Sequence, residues 1–221
     1  GPSEVGLLAT LSAASQVAGR LGLSRMLERF DTRTLLAAAV AGMGLSSAVA
    51  MMSQDFWVLA ASALVQGTAR AYFWSAAQTH AVISSPDRFS SVAKMNITVS
   101  LGLLAGPAIG GTLASISLTV SLATSAAVGV ITLVPALLLT RFPPFPKRSR
   151  GTSASRSVTS KPGMKTALGM NAVAGAWQSF LMSYIPVVLS IAGNSDSSVG
   201  WLVGLANGAT IIGVWLTPHL R

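Results

Sequence analysis

MNITVSLGLLAGPAIGGTLASISLTVSLATSAAVGVITLVPALLLT, residues 95–140, holds no Asp, Glu, Lys or Arg across 46 positions. A run this apolar has to leave water. Roughly 20 apolar residues carry a helix across the roughly 30 Å hydrocarbon core of a bilayer. At about 1.5 Å per residue a single helix over this run would reach roughly 69 Å, so the run predicts two crossings. The break between them falls near Ser115-Ile116-Ser117. The run lacks the ten-residue alternation of polarity that barrel strands show. Its Ala, Leu and Gly content is that of a membrane helix bundle.

The rest of the chain repeats the pattern. Uncharged runs cover 5–19, 34–54, 166–195 and 197–220, and 56–86 carries Arg70 as its one charge. Seven spans are expected, at 5–23, 34–53, 56–82, 92–114, 118–140, 165–192 and 198–219. The composition agrees: of 221 residues 51% are hydrophobic and 10% charged, with a mean hydropathy of +0.62. A soluble domain carries about 25% charged residues. The deficit argues against a soluble enzyme and against a disordered chain. The absence of Cys removes disulfides, thiolate zinc sites and cysteine nucleophiles, and two His, at His80 and His219, do not make a metal centre. No nucleophile–base pair or metal-ligand cluster is visible, so the sequence points away from an enzyme and requires no cofactor.

The net charge of +9 could indicate nucleic-acid binding. The positions of the charges decide otherwise. The connections after spans 1, 3 and 5 hold Arg25, Arg29, Arg33, Arg88, Lys94 and the basic residues between 141 and 165. Those after spans 2, 4 and 6 hold only Asp55 and Asp196, and Glu4 precedes span 1. Basic residues collect on the cytoplasmic side of membrane proteins. The charge is therefore a topology signal, and no nucleic-acid partner is expected. The first residues then lie outside a cell membrane, a bacterial inner membrane being expected. They lack the basic leader of a signal peptide, and an odd number of helices is expected upstream.

The stretch FPPFPKRSRGTSASRSVTSKPG, residues 142–163, is basic and rich in Pro, Ser and Gly. It reads as a cytoplasmic linker between an N-terminal bundle at 1–141 and the start of a second bundle at 164–221. A weak internal repeat supports the division. VGLLATLSAAS at 5–15 overlies VGWLVGLANGA at 199–209, with Val5, Gly6, Leu8 and Leu11 matching Val199, Gly200, Leu202 and Leu205. Repeated halves about a central loop are characteristic of secondary transporters.

Three stretches carry a resemblance to the major facilitator superfamily. The first is SRMLERFDTR at 24–33, which resembles the family loop Gly-x-Leu-x-Asp-Arg-x-Gly-Arg-Arg. Glu28, Arg29 and Arg33 fit, while Ser24, Met26, Asp31 and Thr32 depart. The resemblance implies a cytoplasmic latch whose charges pair across the two halves; a basic stop signal would explain the same residues. The second is LVQG at 64–67, which resembles Arg-x-x-Gln-Gly with Ala63 at the arginine position. The arginine of this span is Arg70, seven residues on and two turns away. A charge inside a membrane costs at least about 2.5–3.5 kcal/mol, so Arg70 should face the bundle interior or a wet cavity. Gln66, Trp74 and Gln78 share its face. The third is GLLAGPAIGG at 102–111, which fits the antiporter motif Gly-x-x-x-Gly-Pro-x-x-Gly-Gly at every fixed position: Gly102, Gly106, Pro107, Gly110 and Gly111. Glycines four apart leave a groove for a neighbouring helix, and the proline introduces a kink.

The resemblance covers family helices two to eight and implies an all-α polytopic bundle, incomplete, of about seven transmembrane helices. It further implies a monomeric secondary transporter of a small molecule in the lipid bilayer, coupled to protons, in the branch of multidrug efflux antiporters. A symporter importing a metabolite or sugar is the alternative on the same fold. A seven-helix receptor would match the span count and not the repeat, linker or glycine motif. No Asp or Glu lies inside a span; the family's proton carrier often sits in helix one. Further candidates for a cavity are Tyr72, Asn96, Asn171, Trp177, Tyr184, Asn207 and above all Gln178, in mid-span. His80 is expected at the membrane interface.

Overall fold

The computed structural model describes residues 2–53, 55–146 and 163–216, with part of the side chains in the sixth helix and at the end of the seventh left out. The described residues form seven helices: α1 (Pro2–Leu27), α2 (Thr32–Met52), α3 (Phe56–Ser84), α4 (Arg88–Ile116), α5 (Leu118–Leu138), α6 (Met164–Ile191) and α7 (Asp196–Leu216). Each matches one expected span. The largest differences are at the end of α1, which runs to Leu27 rather than 23, and the start of α4, which begins at Arg88 rather than 92. Both have an electrostatic reason. Arg25 lies in the last turn of α1, where a cation suits the negative end of the helix dipole. Asp87 accepts a hydrogen bond from the Ser90 N–H at 3.1 Å and so starts α4 early.

The acids are spent at helix starts. Asp31 accepts from the Thr34 N–H at 2.8 Å, and Asp55 from the Trp57 N–H at 2.9 Å. Glu4 and Asp196 lie in the first turns of α1 and α7. Of six acids only Glu28 is not at a helix start. The long uncharged run breaks where expected. Ser117 is extended, with φ −167° and ψ 134°, and separates α4 from α5 by one residue.

The bundle is small inside and large outside. Its buried apolar residues are mostly Ala, with Ala71 and Ala76 fully enclosed, while Leu21, Met52, Trp57 and Leu138 are among the most exposed. That inversion suits a lipid surround, where close backbone packing replaces a hydrophobic core. The α2 helix, α4 from Ser90 onward and α5 are each long and apolar enough to cross a membrane. The α3 helix has the length but carries Gln66, Arg70, Gln78 and His80.

The main contacts join α1 to α3, α2 to α3, α2 to α5 and α4 to α7. Glycine allows the closest of them. A Cβ on Gly129 would stand 2.7 Å from the Gly44 Cα, at the α2–α5 crossing. Between α2 and α3, Ser46 and Ser62 each donate to the other's carbonyl oxygen, at 3.1 and 2.9 Å. These bonds satisfy two hydroxyls that lipid cannot.

Candidate functional site

The α3 helix places the polar residues. It turns Ser62, Ala69 and His80 toward α2 and Gly67 and Ala71 toward α1. Gln66, Arg70, Trp74 and Gln78 recur every four residues on a strip between those contacts. Gln66, Arg70 and Gln78 are exposed, and Trp74 is half-buried with its ring edge-on to Phe73 at 6.2 Å. Arg70 stands fourteen residues from either end, since α3 runs from Phe56 to Ser84. It is thus at the midpoint of the helix and has no ion pair among the described residues. Gln178 lies in α6, and its side chain is outside the described residues, as are those of Asn171 and Trp177.

The glycine motif lies in α4, but its row of glycines is not what packs. Gly102, Gly106 and Gly110 have no heavy atom within 4 Å of where a Cβ would stand. The adjoining face is the packed one. A Cβ on Gly111 would lie 2.8 Å from the Gly200 Cα on α7 and against the Asp196 carbonyl oxygen. A Cβ on Gly200 would meet the Pro107 carbonyl oxygen, and one on Gly204 or Gly208 would meet Leu104. The seam therefore runs along Leu104, Pro107, Ala108 and Gly111 of α4 and Gly200, Gly204 and Gly208 of α7. The four-residue spacing of the α7 glycines was there to be read, and the repeat at 199–209 drew attention only to Gly200. At the end of the seam the Thr112 and Ser197 hydroxyls are 3.4 Å apart.

A cavity of about 640 Å³ opens beside the seam, with Pro107, Gly111, Ala114, Met182, Pro186 and Val203 among its lining and Asp196 as its charged residue. A second, of about 530 Å³, is lined by Thr34, Leu35 and Ala38 of α2 and by Leu64, Val65 and Tyr72 of α3. Arg70 lines neither. Asn207 is buried, its amide donating to the Val203 carbonyl at 2.8 Å and to the Met182 sulfur at 3.6 Å.

At the basic end, Glu28, Arg29 and Arg33 lie in and after a tight turn closed by the bond from the Phe30 N–H to the Met26 carbonyl at 2.8 Å. Arg29 is exposed, and Glu28 and Arg33 are half-buried. Two of the four departures from the family loop, Asp31 and Thr32, have local reasons. Asp31 caps α2. Burial pushes its carboxyl upward, but the hydrogen bonds from Thr34 and the charges of Arg141 and Arg33 outweigh that and hold it below the usual carboxylate range. Thr32 is 2% exposed, and its hydroxyl shares a 2.9 Å hydrogen bond with Nδ1 of His80. His80 is itself 8% exposed and edge-on to Phe142 at 5.3 Å. It is a buried joint between α2, α3 and Phe142 at the basic end of the bundle. The start of the 142–163 stretch is held in the same place: the Phe145 N–H donates to the Leu27 carbonyl at 3.0 Å, and Leu139 packs against Leu35, Leu36 and Ala76.

No curated protein matches the chain. Seven helices of membrane-spanning length, an alternation of basic and basic-free ends and a Gly-Pro seam nevertheless agree with one finding: the family model of the Major Facilitator Superfamily matches residues 1–221. The chain belongs to that superfamily of multi-pass secondary transporters.

Proposed function

We propose that the protein is a proton-coupled exporter of small hydrophobic or drug-like molecules, working by alternating access. The observation that carries this reading is the α4–α7 seam. Its α4 side, Leu104, Pro107, Ala108 and Gly111, lies within the stretch GLLAGPAIGG, which resembles the motif of proton-exchanging exporters. Its α7 side comes from beyond the linker, so the seam joins what we read as two bundles. Two backbones in contact through glycine can part and close without rotamer rearrangement, which suits a gate. The apolar cavity beside it, about 640 Å³, has the size of a drug-like ligand site.

The path is taken to follow the strip of Gln66, Arg70, Trp74 and Gln78 on α3, with Gln178 of α6 as a further candidate. Glu28, Arg29 and Arg33 would latch the basic end in one of the two states. The test is substrate-driven proton flux in proteoliposomes, with Arg70→Ala beside the unaltered protein. Proton exchange driven by several unrelated lipophiles and lost in the variant is expected. Proton uptake together with one polar metabolite would overturn export in favour of import.

A further inference from the structure

The α1 and α3 helices touch in a register that brings a second arginine beside the first. A Cβ on Gly67 would collide with the Ser12 carbonyl and the Ser15 hydroxyl. A Cβ on Gly19 would stand 3.0 Å from the Ala71 Cβ. Contacts thus advance along both helices in the same direction, so α1 and α3 run parallel. Two of the α1 contact residues are followed by a polar one: Ser15 by Gln16, and Gly19 by Arg20. Two of the α3 contact residues are preceded by one: Gly67 by Gln66, and Ala71 by Arg70. One position is about 100° of helix. A step forward on α1 and a step back on α3, in parallel helices, turn both side chains to the same side of the pair. Gln16 and Gln66 share one level and Arg20 and Arg70 another, as two Gln-x-x-x-Arg sets.

Arg20, Gln66 and Arg70 are exposed and Gln16 is half-buried. None of the four has a hydrogen bond or ion pair among the described residues. Packed helices lie about 8–10 Å apart, so two arginines at one level can reach a common ligand. Two guanidiniums at membrane depth demand negative charge, and no Asp or Glu lies in the interior of a described helix. Val5, which lines the apolar cavity, precedes Gln16 by eleven residues, three turns on the same face of α1.

We infer that Gln16, Arg20, Gln66 and Arg70 form a binding site for the oxyanion of an amphipathic substrate, whose apolar part extends toward the cavity at Val5. Guanidinium forks and carboxamide N–H groups together match a carboxylate or phosphate. The inference rests on the transporter reading and narrows its substrate class to organic anions.

The probe is radiolabelled naphthoate, bound at equilibrium to the protein in phosphatidylcholine nanodiscs. Saturable binding is expected. Excess inorganic phosphate should compete weakly and naphthylmethylammonium should not compete. Arg20→Gln should weaken binding about tenfold or more, Arg20→Lys less, and Gln16→Ala modestly, with unchanged thermal unfolding. Equal affinity for the ammonium compound, or unaltered naphthoate binding in folded Arg20→Gln, would overturn the site. Loss of naphthoate binding when phosphatidylglycerol is added to the disc would assign the arginines to a lipid headgroup and overturn the substrate role. Direction and coupling do not enter a binding measurement. Naphthoate binding without proton flux would therefore sink the exporter reading alone, and proton-coupled export of cations alone would sink this one.

Discussion

Asp31 and Thr32 stand where the family loop carries Gly and Arg, and each has a structural task in this chain. Asp31 caps α2, and Thr32 fastens its first turn to His80 of α3. The sequence shows the departures but not the partner, because His80 is 48 positions away and meets Thr32 only when α2 and α3 pack. Thr32→Val would keep the shape and leave the His80 nitrogen unpaired in a buried place, at a cost of about 1–3 kcal/mol. The expected outcome is a lower thermal unfolding temperature in detergent. Asp31→Ala should cost about 1 kcal/mol through the lost cap, whereas Asp31→Asn keeps a capping oxygen. A carboxylate with a lowered folded-state pKa stabilises the fold above its ordinary pKa, and the contribution is lost as pH falls through the lowered value. The unfolding temperature of the unaltered protein should therefore exceed that of Asp31→Asn at neutral pH, and the gap should close in acid. A gap independent of pH would show that the charges of Arg33 and Arg141 do not act on Asp31.

Element by element, the helices were legible because charge is excluded from a membrane core, so uncharged runs mark them directly. Ser117 was legible for a related reason: 46 uncharged residues are too many for one helix. Which face of α4 packs was not legible. The stretch 102–111 offers two rows of small residues about 100° apart, and only the partner decides between them. Gly102 and Gly106 are open, while Gly111 meets α7. Gly111→Leu should therefore force α4 from α7, destabilise the protein by about 1–3 kcal/mol and abolish transport. Gly106→Ala should leave transport intact and raise stability by up to about 1 kcal/mol, as Gly→Ala does in a helix interior. Transport assays and thermal unfolding of the two variants side by side check this. Equal loss in both would mean that the open row also meets another helix during transport. The Gln16 and Arg20 pair was hidden in the same way, since it joins Gln66 and Arg70 only through the register of α1 on α3.

On the scale of the molecule, the chain before residue 142 and the chain after 163 meet chiefly through α4 and α7. The start of the 142–163 stretch does something its composition does not announce. Phe142 and Phe145 hold its first residues against the basic ends of α1 and α3, and the Pro-rich pattern around them gives no sign of a docking site. The strap and the seam thus sit at opposite ends of the bundle: one is anchored within the first helical set, and the other crosses between the sets. If the two sets alternate access, the seam has to open at its Thr112–Ser197 end while the strap stays docked. The chain has no native Cys, so an introduced pair has no competitor. The hydroxyls of Thr112 and Ser197, 3.4 Å apart, mark positions close enough for a disulfide. Thr112→Cys with Ser197→Cys should cross-link under mild oxidation, stop transport, and regain it on reduction. Either single variant should be unaffected by oxidant. Full transport by the oxidised double variant, with the cross-link verified by mass, would show that the seam is a static joint and that access alternates elsewhere.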